Sequence, residues 1–288
     1  MKRVMISIGL LLAIIISIIA FAPVSILNNI TPSSGFDLQK STSFGDNPRF
    51  ELDIYNPKTP RPDTPVLIFM HGGSWTDGSK DIYKFIGEAF TTEGYTAIIP
   101  NYRLYPGIAY PDPVTDTAKS IAWAAKQYPD RPLVILGHSA GGYNVLMAGL
   151  DPQFLQAEGV DTCRHIAGIV SLAGPTGIVP LKEEPYITIF PDRFTTTDAP
   201  LHLALKPSPP VLFLHGGKDD TVYPQSSERL AEKIIARGGQ ADVKIYPELG
   251  HTEVVKVLSR YFDDEASLKS DLFDFVKALP QNSKSFCR

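Results

Sequence analysis

The stretch Leu133-Val134-Ile135-Leu136-Gly137-His138-Ser139-Ala140-Gly141-Gly142 decides the fold. Four aliphatic residues make a short buried strand, and a turn of small residues around one serine follows it. Beyond the turn, Tyr143, Leu146, Met147 and Leu150 recur at helical spacing and mark one apolar helix face. A strand, a sharp turn and a helix would hold the Ser139 hydroxyl above the end of a sheet, next to a helix N-terminus that favours developing negative charge. The bare G-x-S-x-G pattern is weak. The strand before it and the helix after it make it specific.

The same alternation extends in both directions. Apolar runs at Pro65–Met70, Tyr95–Ile99, Ile166–Leu172, Val211–Leu214 and Val243–Tyr246 read as further strands. Helical spacing appears in Ile82, Phe85, Ile86, Ala89 and Phe90, in Val114, Ala118, Ile121, Ala122 and Ala125, in Leu230, Ile234 and Ile235, and over Leu268–Leu279. Strand–helix alternation of this kind predicts an α/β fold: a mostly parallel sheet with helices on both faces. Pro175–Pro210 breaks the rhythm, with eight prolines in 36 positions and no period. An irregular stretch that long inside a domain is usually functional, so residues 175–210 are expected to form a small lid-like insertion over the active site, at the C-terminal edge of the sheet.

Three loops share that edge with Ser139. His71-Gly72-Gly73-Ser74-Trp75 leaves the strand 65–70, and its glycines let the main chain approach a substrate with no side chain between. The N–H groups of Gly72 or Gly73, joined by that of Ala140, would form an oxyanion hole. His215-Gly216-Gly217-Lys218-Asp219-Asp220-Thr221-Val222 follows the strand 211–214, and Leu249-Gly250-His251 follows 243–246. The order serine, acid, histidine makes Ser139 the candidate nucleophile, His251 its base and one of the two aspartates the orienting acid. The spacing G-x-x-D-x-x-V selects Asp219 and leaves Asp220 to cap the next helix or face solvent. His165 and His202 read as bystanders. Trp75, Tyr186, Phe190 and Phe194 are candidate lining for a substrate pocket, and equally candidates for packing.

A net charge of −4 with no basic stripe gives no nucleic-acid footprint. No His/Cys cluster has metal-ligand spacing, so neither metal nor cofactor is expected, and nothing sets an oligomeric state. Lys2-Arg3 precede nineteen uncharged residues, Val4–Ala22. As a helix these would span nearly 30 Å, about one bilayer core. Ala20-Phe21-Ala22 has the form of a signal cleavage site, but Pro23 stands just after it and the run is long, which favours an uncleaved anchor. Either way the expectation is an exported chain: a membrane segment (1–27), a polar tether (28–47) and a catalytic domain (48–288). Cys163 and Cys287 could pair in such a compartment, though their spacing does not require it.

HGGSW, NYRLYP (Asn101–Pro106) and GHSAGG together resemble the esterase and lipase branch of the α/β-hydrolases, in its HGGxW subgroup. That subgroup includes feruloyl and acetyl esterases, kynurenine formamidase and prenylcysteine methylesterases. The resemblance runs from about Phe50 to the C-terminus and implies eight strands, no cofactor and acyl transfer through a serine ester. A small-molecule acyl ester is the first substrate class it suggests. An amide, formamide or peptide bond comes second, and a membrane-tethered binding module on an inactive hydrolase fold is the non-enzymatic alternative.

Overall fold

In this computed structural model the described residues are 24–177, 183–191, 199–203, 207–262, 267–281 and 285–287. Eight strands form one sheet: β1 Phe36–Ser43, β2 Glu51–Pro57, β3 Val66–Met70, β4 Thr96–Pro100, β5 Leu133–His138, β6 Ile166–Leu172, β7 Val211–Gly216 and β8 Ala241–Tyr246. Their spatial order is β1-β2-β4-β3-β5-β6-β7-β8. The six strands from β4 to β8 run parallel; β1 and β2 are antiparallel to their neighbours.

The period-two geometry of a strand explains why the central runs are apolar without interruption. Val66, Ile68 and Met70 of β3 face one core with Ile98, Leu133 and Ile135, against the helices Asp112–Gln127 and Ala140–Leu150. The alternate residues Leu67 and Phe69 face a second core with Val134 and Leu136. That core is closed by the helices Lys84–Thr92 and Leu268–Ala278. All five residues of β3 are buried. The sequence-predicted strands and helices are present, their ends shifted by one or two residues.

The tether predicted for 28–47 is not one. A helix, Val24–Ile30, buries Leu27 in the second core, and the Asn28 side chain accepts the Lys84 N–H at 2.6 Å. The edge strand β1 follows, so the folded domain begins well before residue 48. Its polar, exposed sequence disguised it, as suits an edge strand that must resist pairing with other chains. The neighbouring β2 was hidden by Asp53. This carboxylate is buried, and it is tolerated because Lys80 Nζ lies 3.0 Å from it and the Ser41 N–H donates to it at 2.9 Å.

The run 4–22 lies outside the described residues, as does much of the insertion. Among the described residues no helix is long and apolar enough to cross a membrane. Cys163 and Cys287 form a disulfide that ties the C-terminal tail to the turn entering β6, and the Phe286 N–H bonds the Cys163 carbonyl.

Candidate active site

Ser139 sits between β5 and its helix with φ 53° and ψ −121°, a conformation that costs about 1–3 kcal/mol and persists only where its surroundings enforce it. They do so here. A Cβ on Gly137 would stand 2.2 Å from the Gly141 carbonyl oxygen, and one on Gly141 would stand 2.2 Å from that of Met70. The turn is therefore wound so tightly that only glycine fits on either side. The Ser139 N–H donates to the Leu172 carbonyl at 2.9 Å, tying the turn to β6.

The three predicted residues lie in one hydrogen-bonded row. His251 Nε2 is 2.9 Å from Ser139 Oγ, and His251 Nδ1 is 2.8 Å from Asp219 Oδ2. Because a carboxylate only accepts, Nδ1 carries the proton and Nε2 is left to accept from the serine. Asp219 is buried; Asp220 is exposed, and Thr221 Oγ1 stands 3.5 Å from its carboxylate. Asp219 Oδ1 accepts the N–H groups of Thr221 at 2.9 Å and Val222 at 2.8 Å. Burial pushes the Asp219 carboxyl up, but His215, His251 and the Val222 N–H outweigh it and hold the group well below the usual carboxylate range.

Gly72 lies against the nucleophile. A Cβ there would meet His138 Nδ1 at 2.9 Å and Ser139 Cβ at 3.1 Å. After it, Gly73, Ser74 and Trp75 have φ of 123°, 53° and 60° in succession. This twisted segment is braced from outside. Arg49 Nη2 donates to the Gly78 carbonyl at 2.9 Å, and the Tyr102 hydroxyl donates to the His71 carbonyl at 3.1 Å. Trp75 Nε1 donates to Asn144 Oδ1 at 3.0 Å.

A cleft of about 310 Å³ opens on Ser139 and Ala140, lined also by Ser74, Trp75, Thr176, Tyr186 and Tyr223. Of the four candidate aromatics, Trp75 and Tyr186 line it. Phe190 is buried and meets the Trp75 ring edge-on, 4.9 Å between centroids, so it packs behind the wall. Phe194 lies outside the described residues. Tyr223 and Thr176 were missed, since one exposed tyrosine and one threonine carry no sequence signal. A larger hollow of about 690 Å³ beside Phe50 and Trp123 contains none of the predicted site residues.

Two further histidines touch the row. His138 Nε2 donates to the His251 carbonyl at 2.9 Å; burial, and His251 beside it, push its imidazole down to about 3. His215 lies beneath Asp219. Among the described residues no group of His, Cys, Asp and Glu is arranged to hold a metal ion.

The sheet order and the strand–turn–helix around Ser139 define an α/β-hydrolase. The chain belongs to the BD-FAE family, whose model matches residues 52–234; the prolyl oligopeptidase family model matches residues 193–279. Among curated relatives, a probable isoprenylcysteine alpha-carbonyl methylesterase of Oryza sativa is 26% identical over 242 residues, which are 75% of this chain and 58% of the relative. Esterase LipC of Mycobacterium tuberculosis is 29% identical over 220 residues, 67% of this chain and 54% of that protein. The chain thus spans little more than half the length of these relatives. Among solved structures, esterase B of Lactobacillus rhamnosis shares the fold with a TM-score of 0.71 at 16% identity, covering 96% of this chain and 94% of that one.

Proposed function

We propose that the protein hydrolyses carboxylic esters of small or medium substrates through an acyl-enzyme on Ser139. The observation that carries this is the row Ser139–His251–Asp219 at the mouth of the cleft, with the serine proton facing a free imidazole lone pair. His251 takes that proton as Ser139 Oγ attacks the acyl carbonyl, and returns it to the leaving alkoxide; water, activated by the same imidazole, then releases the acid. Asp219 fixes the tautomer and supports the imidazolium. The N–H groups of Gly72, Gly73 and Ala140 serve the oxyanion; the close approach of Gly72 to Ser139 supports that role. The methylesterase and esterase relatives favour an ester bond. The test is labelling by a fluorophosphonate, together with turnover of short acyl nitrophenyl esters beside matched anilides. Ser139→Ala should lose labelling and about 10⁴-fold or more in kcat. A Ser139→Ala protein retaining a tenth of the activity would remove serine chemistry, and faster turnover of the anilides would move the reading to an amidase.

We further propose that the domain lies outside the cytoplasmic membrane, held by residues 4–22. Lys2 and Arg3 before the apolar run favour a cytoplasmic N-terminus, and a disulfide suits an oxidising compartment. Membrane fractionation with N-terminal sequencing checks it: a soluble mature chain beginning at or after Pro23 would show a cleaved signal instead.

A further inference from the structure

We propose that His215 is a positioning residue for the Asp219 carboxylate, a second imidazole on the oxygen that serves His251. His215 is wholly buried at the end of β7. Its Nε2 donates to the Val222 carbonyl at 2.7 Å and lies 3.2 Å from Asp219 Oδ2. Both neighbours only accept, so Nε2 carries the proton; Nδ1 is then free to accept from Ser227 Oγ, 2.9 Å away. The Val222 carbonyl and Asp219 thus fix the tautomer of His215, as Asp219 fixes that of His251, and Ser227 bonds the nitrogen left over.

The arrangement closes the acid loop on itself. His215 bonds the Val222 carbonyl, the Val222 N–H bonds Asp219 Oδ1, and Oδ2 is left between two imidazoles. The carboxylate cannot rotate without surrendering one of them. Packing alone does not require this. An apolar strand, Val211-Leu212-Phe213-Leu214, ends in a polar residue at a position with no access to solvent, and burying an imidazole is unfavourable unless its nitrogens are bonded. The charge on Oδ2 is shared between His215 and His251. Removing His215 leaves it wholly to His251, which stabilises the imidazolium form of the base. Other charged or titratable groups around the base are His138, whose ring centroid is 5.0 Å from that of His251, and Glu253, whose carboxylate lies beside Gly250.

The inference rests on Asp219 being the orienting acid. The test compares His215→Leu, His215→Gln and Ser227→Ala by kcat, KM and the pH profile of ester hydrolysis, with folding checked by circular dichroism. His215→Leu should lose roughly tenfold in kcat at unchanged KM, the size set by one ordinary hydrogen bond. Its acid limb should move to higher pH by about half a unit. His215→Gln, which keeps a donor, should recover most of both. Ser227→Ala, which leaves Nδ1 without its donor but keeps the proton on Nε2, should fall between. A folded His215→Leu enzyme with wild-type kcat overturns the proposal. So does one that loses kcat with an unmoved acid limb and no recovery in His215→Gln, because that pattern is packing alone. If His215→Leu does not fold, His215→Gln and Ser227→Ala decide it: equal loss in both with no shift of the limb overturns it. An Asp219→Asn enzyme that stays active would sink the triad reading itself; an inactive one beside an indifferent His215 sinks only this inference.

Discussion

Ser139 is flanked by two arms built on opposite principles. The arm after β3, residues 71–78, offers main chain: three glycines, three successive positive φ angles at 73–75, and braces from Arg49, Tyr102 and Asn144 that lie elsewhere in the sequence. The arm after β7 and β8 offers side chains, and its polar atoms are satisfied largely within itself, through His215, Asp219, Val222 and His251. The first is therefore vulnerable to added atoms and the second to removed ones. His138 joins them, its Nδ1 against Gly72 and its Nε2 on the His251 carbonyl.

The sharpest test of the side-chain arm is Asp219→Asn beside Asp220→Asn. An amide at position 219 favours the wrong imidazole tautomer and should cost about 10⁴ in kcat, whereas the exposed Asp220 should tolerate the change within a factor of two or so. Steady-state assays of both variants decide it, and the reverse pattern would move the acid one residue along. In the main-chain arm, one methyl group should suffice. Gly72→Ala puts a carbon 2.9 Å from His138 Nδ1 and 3.1 Å from Ser139 Cβ, and displacement of an oxyanion donor should cost about 10²–10³ in kcat. Gly107→Ala, where the nearest atom is 3.6 Å away, is the control. Equal activity in the two variants would take Gly72 out of the site.

The disulfide lies in neither arm, and its loss should separate stability from chemistry. Cys163→Ser with Cys287→Ser should lower stability by about 2–5 kcal/mol, seen in denaturant titration, with kcat unchanged at low temperature. A smaller effect is expected from acid. Burial holds the imidazole of His71 down at about 4 and that of His138 at about 3. Between those values and about 6.5 the unfolded chain binds protons that the folded one does not, so stability present above pH 6.5 is lost as pH falls. At pH 5.5 each should cost about 1.4 kcal/mol. A melting temperature that stays flat from pH 7.5 to 5.5 would mean that these rings are not held neutral.

The parallel half of the sheet was legible because a strand buried on both faces must be apolar throughout, as in Val66–Met70 and Leu133–Leu136. The antiparallel edge was not. β1 is exposed and polar, and β2 contains Asp53, whose partner Lys80 is brought to it only by the fold. The row Ser139–His251–Asp219 could be assembled from loop order, since each residue follows a recognisable strand. The role of His215 was missed, although a signal existed: a polar residue closing an apolar strand must find partners. The pairing of Cys163 with Cys287 carried no such signal, because nothing local links a turn before β6 to the last residues of the chain.

That bond has a topological consequence. With its ends 124 positions apart in sequence, it closes a covalent ring that contains β6, β7, β8, Asp219 and His251, while Ser139 and the glycine arm lie on the open thread that enters it. One cleaved peptide bond anywhere within the ring, the proline-rich residues 175–210 included, opens the circle without releasing a fragment. A nicked molecule keeps both arms on a single covalent body and migrates as two pieces only after reduction.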